Sequence, residues 1–145
     1  MTIYGNVQRF FCDSNESSVT GFEYHGTCLN QLYLRKNNID TLVLDAPNLY
    51  QINAENGTLK YVDVTKCPYL TYLYAYNNEL THLDVSKKLY GLYVYNNKLS
   101  YLDVANCTNI RYVYIYNNPF TAEAYNDLMC YLNKNRSDGN FRPLY

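Results

Sequence analysis

The chain has 145 residues, a formal net charge of −1, 48% hydrophobic and 17% charged residues. That length allows one domain, the composition excludes a disordered chain, and the charge argues against a general phosphate-binding surface for nucleic acid. Tyrosine is in excess, with 19 residues against 5 Phe and no Trp. Each buried hydroxyl needs a hydrogen-bond partner, so this many tyrosines implies that many are half exposed.

Residues 1–12 lack the basic start and apolar run of a signal peptide. No stretch approaches the ~18 apolar residues of a membrane span. The segment is therefore expected to be soluble, with no direct membrane insertion. A degenerate repeat copy begins at Val7, Phe10, Cys12 and Asn15 and continues through Val19, Phe22 and Tyr24. From there the chain repeats itself. An apolar reference position falls at Leu32, Ile52, Leu73, Leu92 and Val113, with spacings of 20, 21, 19 and 21.

Other positions follow the reference at constant offsets. Three before it stand Leu29, Leu49, Leu70, Leu89 and Ile110; two after, Leu34, Ala54, Ala75, Val94 and Ile115; seven after, Ile39, Leu59, Leu80, Leu99 and Phe120. Ten and twelve after come Leu42 and Leu44, Val62 and Val64, Leu83 and Val85, Leu102 and Val104. Five after stand Asn37, Gly57, Asn78, Asn97 and Asn118. Alternation about the reference predicts one short strand per coil, stacked into a parallel sheet. The asparagines are expected to turn the chain and to bond the backbone of neighbouring turns as an internal ladder, with Gly57 interrupting it.

Past the repeats, Thr121 can N-cap a helix to about Asn133 (TAEAYNDLMCYLN), with Ala124, Leu128 and Leu132 on one stripe beside Tyr125 and Met129. Asp138-Gly139 is a turn signal, and residues 141–145 are expected to return as an edge segment. Residues 121–145 therefore read as a cap over the last coil. No matching cap is evident at the N-terminus, the pattern expected of a segment of a longer protein. The whole of 1–145 reads as a single domain, with about six coils of 19–21 residues over 7–120.

The pattern is that of a leucine-rich repeat, LxxLxLxxNxL. The halves LTHLDVS and LSYLDVANC resemble the short repeats of bacterial (Bacteroidetes-type) surface leucine-rich repeat proteins. The resemblance implies a right-handed leucine-rich repeat solenoid with a short parallel β-sheet on one face. It implies irregular or extended segments on the other face and a C-terminal α-helical cap. It also implies location at the bacterial cell surface or secretion, and a role in adhesion or protein binding. Strands of those relatives often carry small residues, Cys or Ser where this chain has Tyr, so no ligand is carried over.

The outward strand positions hold the candidate site. One after the reference are Tyr33, Asn53, Tyr74, Tyr93 and Tyr114; three after are Arg35, Glu55, Tyr76, Tyr95 and Tyr116; one before are Gln31, Gln51, Tyr72, Gly91 and Tyr112. Nine of the 19 tyrosines (Tyr33, Tyr72, Tyr74, Tyr76, Tyr93, Tyr95, Tyr112, Tyr114 and Tyr116) thus share one face, all but Tyr33 in the last three coils. Tyrosine combines large contact area, little rotamer entropy and a polar tip, which suits a binding surface. It also pairs across strands for purely structural reasons.

The remaining chemistry is thin. Cys28, Cys67 and Cys107 stand just before the apolar residue that opens a coil, in alternate coils and too far apart to pair; all five cysteines are expected to be free thiols. Glu23, Asp63, Asp84 and Asp103 form a second outward row, interrupted by Val43. Such aspartates are expected to accept backbone N–H bonds and not to hold calcium. His82 occupies a position filled by Tyr61 and Tyr101 in the flanking coils, a surface variant and not a general base. With no phosphate loop, nucleophile elbow or metal motif, the expectation is a non-enzymatic recognition module without cofactor or metal that binds a protein partner. The alternatives are a carbohydrate-binding module using the same face, self-association through it, and a structural spacer within a longer surface protein.

Overall fold

The structure is a computed structural model in which residues 2–4, 6–13 and 21–134 are described. Asn15, Val19, the Asp138-Gly139 turn and the segment 141–145 lie outside the described residues. In chain order the elements are β1 (Thr2–Tyr4), β2 (Arg9–Phe11), β3 (Gly21–His25), β4 (Gln31–Tyr33), β5 (Thr41–Asp45), β6 (Gln51–Asn53), β7 (Tyr61–Asp63), β8 (Tyr72–Tyr74), β9 (His82–Asp84), β10 (Gly91–Tyr93), β11 (Tyr112–Tyr114) and α1 (Ala122–Lys134). Strands β2, β4, β6, β8, β10 and β11 form one sheet, and β1, β3, β5, β7 and β9 a second. Every pairing is parallel. The chain crosses from one sheet to the other and back, building a parallel β-solenoid of about five turns.

Register follows the reference position, with Phe10, Leu32, Ile52, Leu73, Leu92 and Val113 level along the larger sheet. The same parity that sends these residues inward sends their neighbours outward. The second sheet corrects the expectation of irregular or extended segments on the opposite half. The apolar residues ten and twelve past the reference flank one outward residue, which is again a period of two, and neighbouring coils pair there in register. Among the described residues only the last coil is irregular on this side: 101–104 buries Leu102 and Val104 but forms no ladder with β9.

The core is a column of aliphatic side chains between the sheets, including Leu32, Leu42, Ile52, Val62, Leu73 and Leu92, all fully buried. The first coils depart from this, since Phe22 and Tyr24 are also fully buried there. Turns are closed by the asparagine ladder. Asn78 Nδ2 donates to the carbonyls of Ala54 (2.8 Å) and Ala75 (3.2 Å), and its Oδ1 accepts from Leu59 N at 3.0 Å. Asn97 repeats this with Ala75 O, Val94 O and Leu80 N, and Asn118 with Val94 O, Ile115 O and Leu99 N. At Gly57 a Cβ would fall 2.7 Å from the Asn37 carbonyl oxygen and 3.0 Å from Asn78 Oδ1. The interruption is therefore enforced by close approach.

A second asparagine column runs beside the first, outside the molecule. Asn56, Asn77, Asn96 and Asn117 hold φ of 54–62°, the left-handed region that asparagine tolerates best after glycine. Their amides chain together, with Asn77 donating to Asn56 at 2.7 Å, Asn96 to Asn77 and Asn117 to Asn96.

All five cysteines are free. Cys67 and Cys107 share a column with Ala46 and Ser86, each accepting the N–H three residues on; Cys28 stands outside it, next to Leu29. At the far end Thr121 Oγ1 accepts Ala124 N at 3.1 Å as the helix N-cap. Leu128 and Leu132 of α1 are buried, and Tyr131 donates to the Ala105 carbonyl at 2.6 Å, tying the helix to the last coil.

Candidate functional site: the outward face of the six-stranded sheet

Hydrogen bonding between coils does not stop where the strands end. Residues two and four past the reference continue it, as in Ala75 N to Tyr93 O, Asn77 N to Tyr95 O, Val94 N to Tyr114 O and Asn96 N to Tyr116 O. The outward residue between them is thereby held in the same lattice as the strand proper. Successive coils then place identical rings about 4.8 Å apart, which is stacking distance.

Two ring columns result. In one, Tyr74 stacks on Tyr93 at 4.6 Å and Tyr93 on Tyr114 at 4.7 Å. In the other, Tyr76 stacks on Tyr95 at 4.6 Å and Tyr95 on Tyr116 at 4.4 Å. Interplanar angles are 6–17°, so faces meet faces and the edges and hydroxyls are what solvent touches. A third group forms around Gly91. A Cβ there would lie 2.8 Å from the Tyr72 ring, and its lack lets that ring lean towards Tyr74 (6.2 Å) and meet Tyr90 edge-on (5.8 Å). Tyr90 in turn meets Tyr112 edge-on at 5.5 Å.

Eight of the expected site residues, Tyr72, Tyr74, Tyr76, Tyr93, Tyr95, Tyr112, Tyr114 and Tyr116, come together in this way; Tyr33 does not join them. Strand β6 lies between β4 and β8, and Tyr33 instead stacks on Phe11 at 4.5 Å. Tyr90 belongs to the patch although its offset in the repeat carries Asn30, Tyr50, Thr71 and Arg111 elsewhere, a position without a pattern to reveal it.

Burial and the neighbouring phenols push Tyr93 and Tyr95 up to about 12. Tyr74 and Tyr76 are also raised, burial being the first cause. These four phenols are therefore neutral at physiological pH, with protonated hydroxyls. At the other end of the face Arg35 donates through Nε (2.8 Å) and Nη2 to Asp13. Next to Arg35 in the same column, Glu55 is only 6% exposed and its Oε2 has no hydrogen-bond partner. Burial raises its carboxyl above the ordinary range, against its own backbone N–H and Arg35, which pull it down.

In the aspartate row of the opposite half-coil, Asp63 and Asp103 serve the turn that follows them. Asp63 Oδ1 accepts the N–H (2.9 Å) and hydroxyl (2.7 Å) of Thr65, and Asp103 Oδ1 accepts Ala105 N at 2.8 Å. Asp84 accepts the Tyr61 hydroxyl at 3.2 Å and lies 3.2 Å from His82 Nε2. His82 is exposed and stacks on Tyr61 at 5.9 Å. Both histidines lie on the five-stranded sheet, in β3 and β9, and not on the tyrosine-rich face of the six-stranded sheet. No protein-family model matches the chain, and no curated protein is significantly similar to it.

Proposed function

We propose that this chain is a non-enzymatic recognition module of the leucine-rich repeat type that binds a protein partner through its tyrosine face, at a bacterial surface or after secretion. The location and the repeat class rest on the resemblance of LTHLDVS and LSYLDVANC to surface repeats. The binding surface rests on one observation: two in-register columns of three tyrosines, half buried, with their faces turned to one another. Stacked rings lose little entropy on binding because their neighbours already hold them. They offer a neutral lattice of edges and hydroxyls, the chemistry of interface centres.

The same stacking ranks a protein above a glycan. Sugars pack on ring faces, and here open faces remain only at the column ends, on Tyr74 and Tyr76 at one side and Tyr114 and Tyr116 at the other. The test replaces Tyr93, Tyr95 and Tyr116 together by Ser, with a parallel triple Phe variant that keeps the stacks and removes the hydroxyls. Both variants are checked for folding by circular dichroism. A protein captured by the wild type and lost by the folded Ser variant supports the reading. Retained capture, or binding to a glycan array alone, overturns it.

A further inference from the structure

Strand β6 breaks the aromatic surface. In the column one past the reference the order is Phe11, Tyr33, Asn53, Tyr74, Tyr93, Tyr114. Tyr33 and Tyr74 therefore stand two strand spacings apart, about 9.6 Å. Ring neighbours elsewhere in this column are 4.5–4.7 Å apart. The interval over Asn53 is thus the thickness of one planar group touching a ring on either side. The outer faces of the two rings are already covered, Tyr33 by Phe11 and Tyr74 by Tyr93. Asn53 is too short to fill the interval, and its Oδ1 accepts from Gln51 Nε2 at 2.7 Å, which holds it down as a floor.

A second, independent observation lies on the same coil. Glu55 follows Asn53 by two residues and shares its side of the chain, about 6.6 Å along an extended backbone. Its carboxylate is buried with Oε2 unpartnered. The nearest cation in its column, Arg35, spends Nε and Nη2 on Asp13. A buried carboxylate oxygen without a donor is costly, so a ligand that brings a donor recovers that cost.

One slot wants a planar group and the adjoining carboxylate wants a cationic donor. A guanidinium is both: it stacks on aromatic faces, and its N–H fork matches a carboxylate. An ammonium is not planar, and a hydrocarbon side chain brings no donor. We propose that the slot over Asn53, between Tyr33 and Tyr74, receives an arginine side chain of the partner protein, which stacks between the two rings and donates to Glu55. This rests on the protein-partner reading of the tyrosine face and sets the partner's anchor at the edge of that patch.

The probe is arginine amide, titrated into the full chain while the Tyr33 and Tyr74 ring signals and the Asn53 side-chain amide are followed by NMR, with lysine amide and norleucine amide as controls. Arginine amide is expected to shift those signals saturably, at least ~5-fold more tightly than lysine amide, with no saturable response to norleucine amide. N53Y completes the ring column and should keep or raise the melting temperature while abolishing the response. E55Q leaves the slot open and should weaken arginine amide about tenfold. Arginine amide binding to folded N53Y as to the wild type overturns the proposal. So does an equal response to all three amides, or one confined to Tyr114 and Tyr116. If the slot fails in these ways while the Tyr93, Tyr95 and Tyr116 triple Ser variant still loses its protein, only the slot is wrong. If that variant keeps its protein while N53Y still abolishes arginine amide binding, the guanidinium site stands and the tyrosine patch is not the contact.

Discussion

Along the six-stranded sheet, the outward positions of strands β2, β4 and β6 are Arg9, Phe11, Gln31 (itself buried), Tyr33, Gln51 and Asn53, while those of β8, β10 and β11 are all tyrosine except Gly91. The backbone makes no such distinction. Parallel register, inward aliphatics and left-handed turn residues continue through both halves. The comparison teaches that the scaffold is held from inside, by the core and the asparagine ladder, and that the outward positions are free to carry a surface. The two halves meet on one coil, 51–57, which breaks both patterns: Asn53 interrupts one ring column, Glu55 stands where the other ends, and Gly57 interrupts the inner ladder. The outer asparagine column begins on this coil, at Asn56, where the coil before it has Lys36.

If that division holds, damage to the inside should outweigh damage to the surface. Asn97→Ala removes three carbonyl and amide partners at a buried turn and should cost about 2–4 kcal/mol, measured by urea denaturation. A cost no larger than that of removing the tyrosine ring outside the same coil would break the comparison. Next in size is Gly57→Asn, the substitution the repeat itself suggests. Because a Cβ there would meet the Asn37 carbonyl at 2.7 Å, it should destabilise by about 1–3 kcal/mol; a gain in stability would mean the ladder was open to repair.

Within the tyrosine half, position in the stack should decide the cost. Tyr95 has a ring on both sides and Tyr116 on one, so Tyr95→Ser should cost about 1 kcal/mol more than Tyr116→Ser. Equal values from denaturant midpoints would show that stacking contributes little beyond burial.

The smallest effect concerns pH. Tyr93 and Tyr95 are raised to about 12, above the ~10 of an unfolded tyrosine. For a folded-state pKa above the unfolded one, the stabilisation is complete below ~10 and is lost as pH rises through the folded value. Melting temperature should therefore be insensitive to these groups near neutrality and fall between pH 10 and 12. Phenolate absorbance should show late-ionising residues that disappear in the Tyr93 and Tyr95 to Phe double variant. A single ionisation step near pH 10 for every tyrosine would contradict this.

Much of the fold was legible because its determinants recur. Leu32, Ile52, Leu73, Leu92 and Val113 each need only their own coil's alternation to face inward, and Asn78, Asn97 and Asn118 mark their turns in the same way. The second sheet was less visible, since Leu42, Val62 and Leu83 fit an extended segment as well as a strand until neighbouring coils pair. The outer ladder of Asn56, Asn77, Asn96 and Asn117 passed unnoticed because its bonds run between residues 19–21 apart. Of the expected face, Tyr33 lies on the same sheet but apart from the other eight rings, because β6 and Asn53 stand between it and Tyr74. Tyr90 had no repeat pattern to reveal it, and it joins the patch by meeting Tyr72, whose ring leans over Gly91.

The amino-acid sequence by itself determined the coil length, the inward and outward parity of each residue and the concentration of tyrosine on one side, because these follow from backbone periodicity within a single repeat. Only the tertiary structure decided which rings stack, which buried carboxylate oxygen beside Arg35 is left without a donor, and where the aromatic columns open into a slot. Those depend on side chains brought level from coils about twenty residues apart, where the loss of one ring at Asn53 or one Cβ at Gly91 changes what its neighbours can touch.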